Sequence, residues 1–266
     1  MNRVARSLLA VAVLCIVVSG VASGVARAQE VLYSSSIWFE GREEISGAYR
    51  IVRAEEGLLL ELSRSFRTKD APDLKVVLSP HRMEDSARSA GSQASNRNAL
   101  EGGLVLGLLS SSRGAARFEI PAGTDFTRYR SVLIHCEEYS LVWGGADLVE
   151  GRLVHAGSSW VRKTNRIRGR WEIVAAGNTV RVRTGEDFDT RNAPDLKFVL
   201  SPRSASDNTD RTALQGGRIL GLLSDHEKAQ EVTVSGVDLS GFRSLLIHCQ
   251  QYTKLWGGAE LGGFEF

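Results

Sequence analysis

Two cysteines of this chain stand in matching surroundings. Cys136 ends the run SVLIHC and is followed by EEYSLVWGGADL; Cys249 ends SLLIHC and is followed by QQYTKLWGGAEL. A thiol can act as a thiolate nucleophile, cycle through a sulfenic acid or a mixed disulfide, or ligate a soft metal. Side chains alternate along a strand, so Val132, Ile134 and Cys136 share one face while Ser131, Leu133 and His135 share the other. Leu245, Ile247 and Cys249 repeat this opposite Ser244, Leu246 and His248. Both thiols therefore point into a core or a pocket at its rim, and the histidines point away. Neither His and Cys pair is placed to hold one metal ion or to act as nucleophile and base. Burial among aliphatic residues is also the ordinary state of a structural cysteine, whose pKa rises unless a cation is near. Arg130 and Arg243, which open the two runs, are the candidate cations. A disulfide between the two cysteines would need Cα atoms within about 7 Å, which equivalent positions in separate domains seldom meet.

Tyr139 and Trp143 are four residues apart, as are Tyr252 and Trp256, which on a strand puts each pair on one face. Leu141 on that face is replaced by Lys254, so the face is expected to be partly open. These four residues are candidates for a wall that stacks a planar ligand or a sugar; the alternative is aromatic cover on a sheet. Gly144 and Gly145, like Gly257 and Gly258, suit a tight turn or a bulge. Asp73 and Asp195 in APDLK suit turn capping. His81, His155 and His226 are not repeated and are expected in solvated loops. No G-x-S-x-G, H-E-x-x-H or phosphate-binding glycine loop occurs, so hydrolase chemistry has no support.

The elements that must position these residues come in duplicate. Trp38, Gly47, Ile51, Phe66 and Pro72 recur 122 positions later as Trp160, Gly169, Ile173, Phe188 and Pro194. By the cysteines the offset is 113, and the lost residues fall mostly in a polar stretch, HRMEDSARSAGSQASNRN against RSASDNTDRT, as expected of a solvated loop. Each copy is built of short runs rich in Val, Ile, Leu and aromatics, separated by Gly, Pro, Asp, Asn and Ser. The fold class expected is all-β: two homologous small antiparallel β-sandwich or barrel domains, 36–150 and 157–266, joined near EGRLVHAG.

Residues 1–28 carry Arg3 and Arg6, a short apolar run and Ala26-Arg27-Ala28, the pattern of a cleaved secretory signal peptide. The expectation is an exported protein, periplasmic, at the cell surface or extracellular, with no membrane span after signal cleavage. The whole chain has 33 Lys and Arg against 31 Asp and Glu, and the signal removes three Arg and no acid. A nearly neutral chain gives no reason to expect nucleic acid as a partner.

The order of a Gly-containing turn with IV, then APDLKVVLSP or APDLKFVLSP, LGLLS, and SVLIHC or SLLIHC followed by an aromatic and GGA resembles the DM-thirteen (DM13) domain, an extracellular electron-transfer-type domain also found in Skeletor. The resemblance spans about 38–148 and 160–262. It implies an all-β fold and a redox role for the cysteine, as a bare thiol or as ligand to a prosthetic group such as haem. That role falls on Cys136 and Cys249 alone. Covalent haem is not implied, since C-x-x-C-H is missing. The expected partner is a redox or cell-surface protein of the envelope. The alternative is a non-enzymatic extracellular binding or adhesion module with structural cysteines. The second copy, SDHEKAQEVTVS, lacks the counterparts of Gly114 and Pro121, so its hairpin is expected to have a changed turn.

Overall fold

The structure, a computed structural model, describes residues 29–83 and 99–266. The segment read as a signal peptide and most of the first copy's polar stretch lie outside them. No helix among the described residues is long and apolar enough to cross a membrane.

Each copy is a sandwich of two antiparallel sheets. In the first, β1 (Glu30–Ser35), β3 (Tyr49–Ala54), β4 (Gly57–Leu62) and β7 (Ala116–Ile120) form one sheet in that order. The other runs β2 (Phe39–Glu40), β9 (Leu141–Asp147), β8 (Ser131–Cys136), β5 (Leu74–Ser79) and β6 (Leu104–Leu108). The second copy repeats both: β10 (Arg152–Gly157), β13 (Trp171–Ala176), β14 (Thr179–Thr184) and β18 (Gln230–Ser235), then β11 (Val161–Arg162), β20 (Lys254–Glu260), β19 (Ser244–Cys249), β16 (Leu196–Ser201) and β17 (Arg218–Leu222). A two-stranded ribbon, β12 (Ile167–Arg168) with β15 (Asp189–Thr190), completes it.

Alternate residues of both sheets meet between the layers. Tyr49, Ile51, Leu60 and Phe118 face Leu74, Val76, Val132, Ile134 and Trp143 in the first core, and Trp171, Ile173 and Val182 face Phe198, Leu245, Ile247 and Trp256 in the second. The five-stranded sheets are buried on their outer faces as well, under Met83 and Ala99 in the first copy and Ala205 and Ala213 in the second. Both central strands consequently lack exposed positions, which is why SVLIHC is a continuous apolar run rather than an alternating one. The polar stretch of the second copy is thus a cover and not a solvated loop. Its Asn208 is buried, with Nδ2 donating to Ser204 O at 2.8 Å and to Ser201 Oγ at 3.1 Å, so the amide satisfies the loop where it crosses the sheet.

The segment expected to join the domains is strand β10, and β1 is its counterpart in the first copy. These two edge strands meet and build the junction. Ser34 N donates to Val149 O at 2.9 Å and Gly151 N to Leu32 O at 2.9 Å. Beside them Ala48, Val149, Leu153 and Val174 form an apolar patch that also receives Phe264 and Phe266. His155, expected in a loop, lies on β10 with Nδ1 2.7 Å from Gly262 O.

A buried carboxylate holds the junction. Glu172 has no accessible surface. It accepts hydrogen bonds from Ser36 N at 2.7 Å and Ser35 Oγ at 3.0 Å in the first domain, and from Arg183 at 2.5 Å in its own. Glu231 reaches the same Arg183 at 3.3 Å. At the equivalent rung of the first domain the charges are inverted: Arg50 pairs with Glu61 at 2.6 Å, and Arg117 joins Glu61 at 2.7 Å. That triad stays partly open, with the Arg50 guanidinium 4.6 Å from the centre of the Phe266 ring.

The turn expected to differ between the copies is the same in both. Gly114 has φ +87 and Lys228, at the matching position, φ +69; Gly114 N donates to Phe66 O and Lys228 N to Phe188 O, each at 2.9 Å. A β-bridge before the turn, Arg67 with Arg113 or Asp189 with Glu227, and the strand ladder after it preserve a left-handed residue although the glycine is gone. Such a conformation costs a side-chain-bearing residue about 1–2 kcal/mol, and glycine returns part of that through its looser unfolded chain. Lys228→Gly is therefore expected to stabilise the second domain by about 0.5–1 kcal/mol, read from denaturant midpoints, while Lys228→Ala leaves it nearly unchanged. An equal gain in both variants would assign the effect to the lysine side chain.

Candidate functional site

Cys136 closes β8 between Leu74 and Leu141, and Cys249 closes β19 between Leu196 and Lys254. Both thiols are free, without accessible surface, and each lies in the core of its own domain. Just beyond them the chain turns out of the sheet. Glu137 N donates to Asp73 O at 3.0 Å and Gln250 N to Asp195 O at 2.9 Å, while Leu109 N and Leu223 N cap Leu74 O and Leu196 O at 2.7 and 2.8 Å. The sulfurs are thus sealed at the end of each sandwich, although the next residue along the chain is exposed. Asp73 and Asp195 also pair with Lys75 and Lys197.

The aromatic residues do not form the expected wall. β9 begins at Leu141 and β20 at Lys254, so Tyr139 and Tyr252 lie on the preceding turns, 55% and 56% exposed. Ser140 and Thr253 complete those turns with φ 51 and φ 50, an unusual conformation for a β-branched threonine and one kept in both copies. Trp143 and Trp256 are bulge residues opposite the step from Ile to His on the neighbouring strand. The bulge turns each indole inward, 5% and 6% exposed, and Nε1 donates to Lys69 O or Arg191 O at 2.9 Å. The four-residue spacing failed as a face rule because one of its ends is a turn and a bulge intervenes. Gly144 and Gly145 continue the strand after that bulge rather than forming a turn. The two tryptophans join the cysteine face, and the two tyrosines stand outside it.

Arg130 and Arg243 precede the first residues of the strands whose last residues are the cysteines. Six residues of strand separate them by about 20 Å, so neither guanidinium lies beside a sulfur.

His135 and His248 occupy the opposite face, as the alternation predicts. His248 is buried, and neither of its ring nitrogens has a hydrogen-bond partner among the described residues. Burial lowers its pKa from 6.5, and Asp210, tied to Lys254 at 2.6 Å, opposes this only in part. The native state therefore keeps this imidazole neutral, and the unfolded chain takes up the proton first. Stability is expected to fall as the pH drops below about 6.5 towards the lowered native value. Replacing His248 with Phe should remove that part of the slope, measured as thermal midpoints between pH 8 and pH 5. Identical slopes in both proteins would assign the acid sensitivity elsewhere.

Among the described residues no three His, Cys, Asp or Glu side chains are grouped to hold a metal ion. Two large cavities lie at the domain junction, and neither is lined by a cysteine. With each sulfur packed on every side, a haem does not fit at either thiol in this packing.

Two β-sandwiches in tandem, each sealing one free thiol at the end of its central strand, define the class of protein. The family model described as Electron transfer DM13 matches residues 39–148 and 160–261, and the chain belongs to that family. This gives it a redox role in the broad sense of an electron-transfer domain. No curated protein and no solved structure matches the chain. Strands β1 and β10, which build the junction, lie outside the matched stretches.

Glu172 was not singled out by sequence. Its signal was present: aligned copies place Arg50 and Glu61 against Glu172 and Arg183, an exchange of charge at two positions that must face each other.

Proposed function

We propose that the protein is a secreted tandem redox module in which Cys136 and Cys249 are the working groups. The observation that carries this reading is the placement of one free thiol per domain at the same strand end, next to a turn. Because the sulfurs are sealed, reaction follows local opening of the turn that carries Tyr139 or Tyr252, a motion of lower cost than unfolding the sandwich. Once opened, the cysteine loses its proton to solvent and the thiolate attacks a partner's disulfide. A new S–S bond forms to the cysteine, the partner's bond breaks, and the other partner sulfur leaves as a thiolate. A second thiol reverses the step. The domain thereby passes two electrons between thiol and disulfide partners.

The test uses oxidised glutathione as the probe, with intact mass as the readout. One adduct per cysteine is expected under native conditions, with one lost in Cys136→Ser, one in Cys249→Ser and both in the double variant. If the native protein forms no adduct while the unfolded chain forms both, the thiols are structural.

The repeated, exposed Tyr139 and Tyr252 favour a second reading, a binding or adhesion module of the cell surface. It requires that Tyr139→Ala with Tyr252→Ala lose adhesion to envelope material while the cysteine variants keep it.

A further inference from the structure

Where the two domains meet, cavities of about 610 and 770 Å³ share a wall made by Tyr33, Phe126 and Glu150. Together they form one open groove along the junction. The Tyr33 and Phe126 rings stand 5.4 Å apart at 38°, so a rib of aromatic carbon crosses the middle of it. Arg130 lies on one side of the rib and Arg152 on the other.

Most charges in the groove are already paired: Glu30 with Arg53 at 3.1 Å and Glu231 with Arg183 at 3.3 Å. Three are not. Among the described residues, Arg130 donates only to Thr127 O and Tyr129 O, at 2.8 and 3.1 Å, Arg152 makes no side-chain hydrogen bond, and the Glu150 carboxylate has no cation within ion-pair distance. Tyr33 feels both kinds of charge. Burial and then Glu150 raise its pKa, and Arg130 lowers it, so this ring sits between a free carboxylate and a free guanidinium.

This combination selects a ligand. A guanidinium fork matches a carboxylate in two parallel hydrogen bonds. An aromatic ring takes the C–H face of a sugar, and an unpaired carboxylate accepts hydroxyl donors. A dense polyphosphate would be repelled by Glu150 at the centre, and a neutral chain would leave both arginines unused. Two adjoining cavities of this size, with guanidiniums on both sides of the rib, call for a chain carrying spaced carboxylates. We propose that this groove binds an acidic oligosaccharide, with uronate carboxylates on Arg130 and Arg152 and a sugar ring against Tyr33. The site is independent of the thiols, and neither domain provides it alone, since Arg130 belongs to the first and Arg152 to the second.

Calorimetric titration of the purified protein tests this with three probes: a galacturonate hexamer, a neutral glucan hexamer and a single-stranded DNA oligomer. The galacturonate is expected to bind, the glucan and DNA to bind far more weakly, and Arg130→Gln with Arg152→Gln to weaken galacturonate by at least about tenfold. Arg152→Gln alone should cost several-fold; because this side chain holds nothing in the fold, its effect cannot come from misfolding. Failure of galacturonate to bind, equal binding of the glucan, tighter binding of DNA, or an unchanged double variant would each overturn the proposal.

Discussion

Glu172→Ala is expected to lower stability by about 3–5 kcal/mol, more than any other single change at the junction. The substitution removes the carboxylate that accepts Ser36 N, Ser35 Oγ and the Arg183 guanidinium. It leaves Arg183, itself mostly buried, with the half-open Glu231 at 3.3 Å and a long 3.4 Å bond to Ser35 Oγ. Three donors of the first domain, Ser35 Oγ, Ser36 N and Ser36 Oγ, lose their acceptor at buried or half-buried positions, and a poorly compensated cation remains in the second. Glu172→Gln retains one acceptor oxygen and should fall between the two. Urea denaturation gives the measurement. Because the carboxylate joins the domains, the alanine variant is also expected to split one melting transition into two. A loss below about 1 kcal/mol would place the carboxylate in the energetic class of surface ion pairs.

The second large effect is expected at Gly47→Ala. Its φ is +87, and a Cβ there would lie 2.5 Å from Phe66 Cα and 2.6 Å from Phe66 N. Two costs add: the left-handed backbone, about 1–2 kcal/mol, and overlap with main chain that cannot move without disturbing the Ser46 and Arg67 bridge. The carbonyl of Gly47 also receives the Trp38 indole at 3.0 Å, so relaxation would disturb a core tryptophan packed against Phe66 and Tyr49. A loss of about 3 kcal/mol or more follows, read from the urea midpoint of the intact protein. A loss below about 1 kcal/mol would show that the turn relaxes to admit the methyl group.

Much of this architecture could be read from the residues. The duplication, the antiparallel β class and the opposed faces of Cys136 and His135 follow from repeat spacing and period two, and each holds at named positions. Alternation said which way the thiols point, and the structure adds that the other face is covered too. That cover was illegible because it is polar in composition: Asn208 buries an amide by bonding it to the loop's own carbonyls, which no hydropathy pattern records. The aromatic wall failed for a local reason, a bulge that turns Trp143 inward and a turn that lifts Tyr139 out. The junction was misread because β10 is an edge strand rich in His, Arg and Gly, the composition of a linker. Lys228 shows the converse, a turn retained by its neighbours after the residue that favours it was replaced.

The inverted triads also differ in how much change each can tolerate. Exchanging Arg and Glu across a pair of strands passes through a state with like charges opposed. On an open sheet face that state costs a few tenths to about 1 kcal/mol. Once sealed beneath Ser35 and Ser36 it would cost several, enough to unfold a domain of ordinary stability. A reversal of the second copy's pair is therefore closed off while Ser35 and Ser36 cover it, whereas the partly open triad of the first copy could still pass through it at small cost. The two copies of one rung thus differ in how freely their charges can change: one is locked by the junction, and the other is left adjustable.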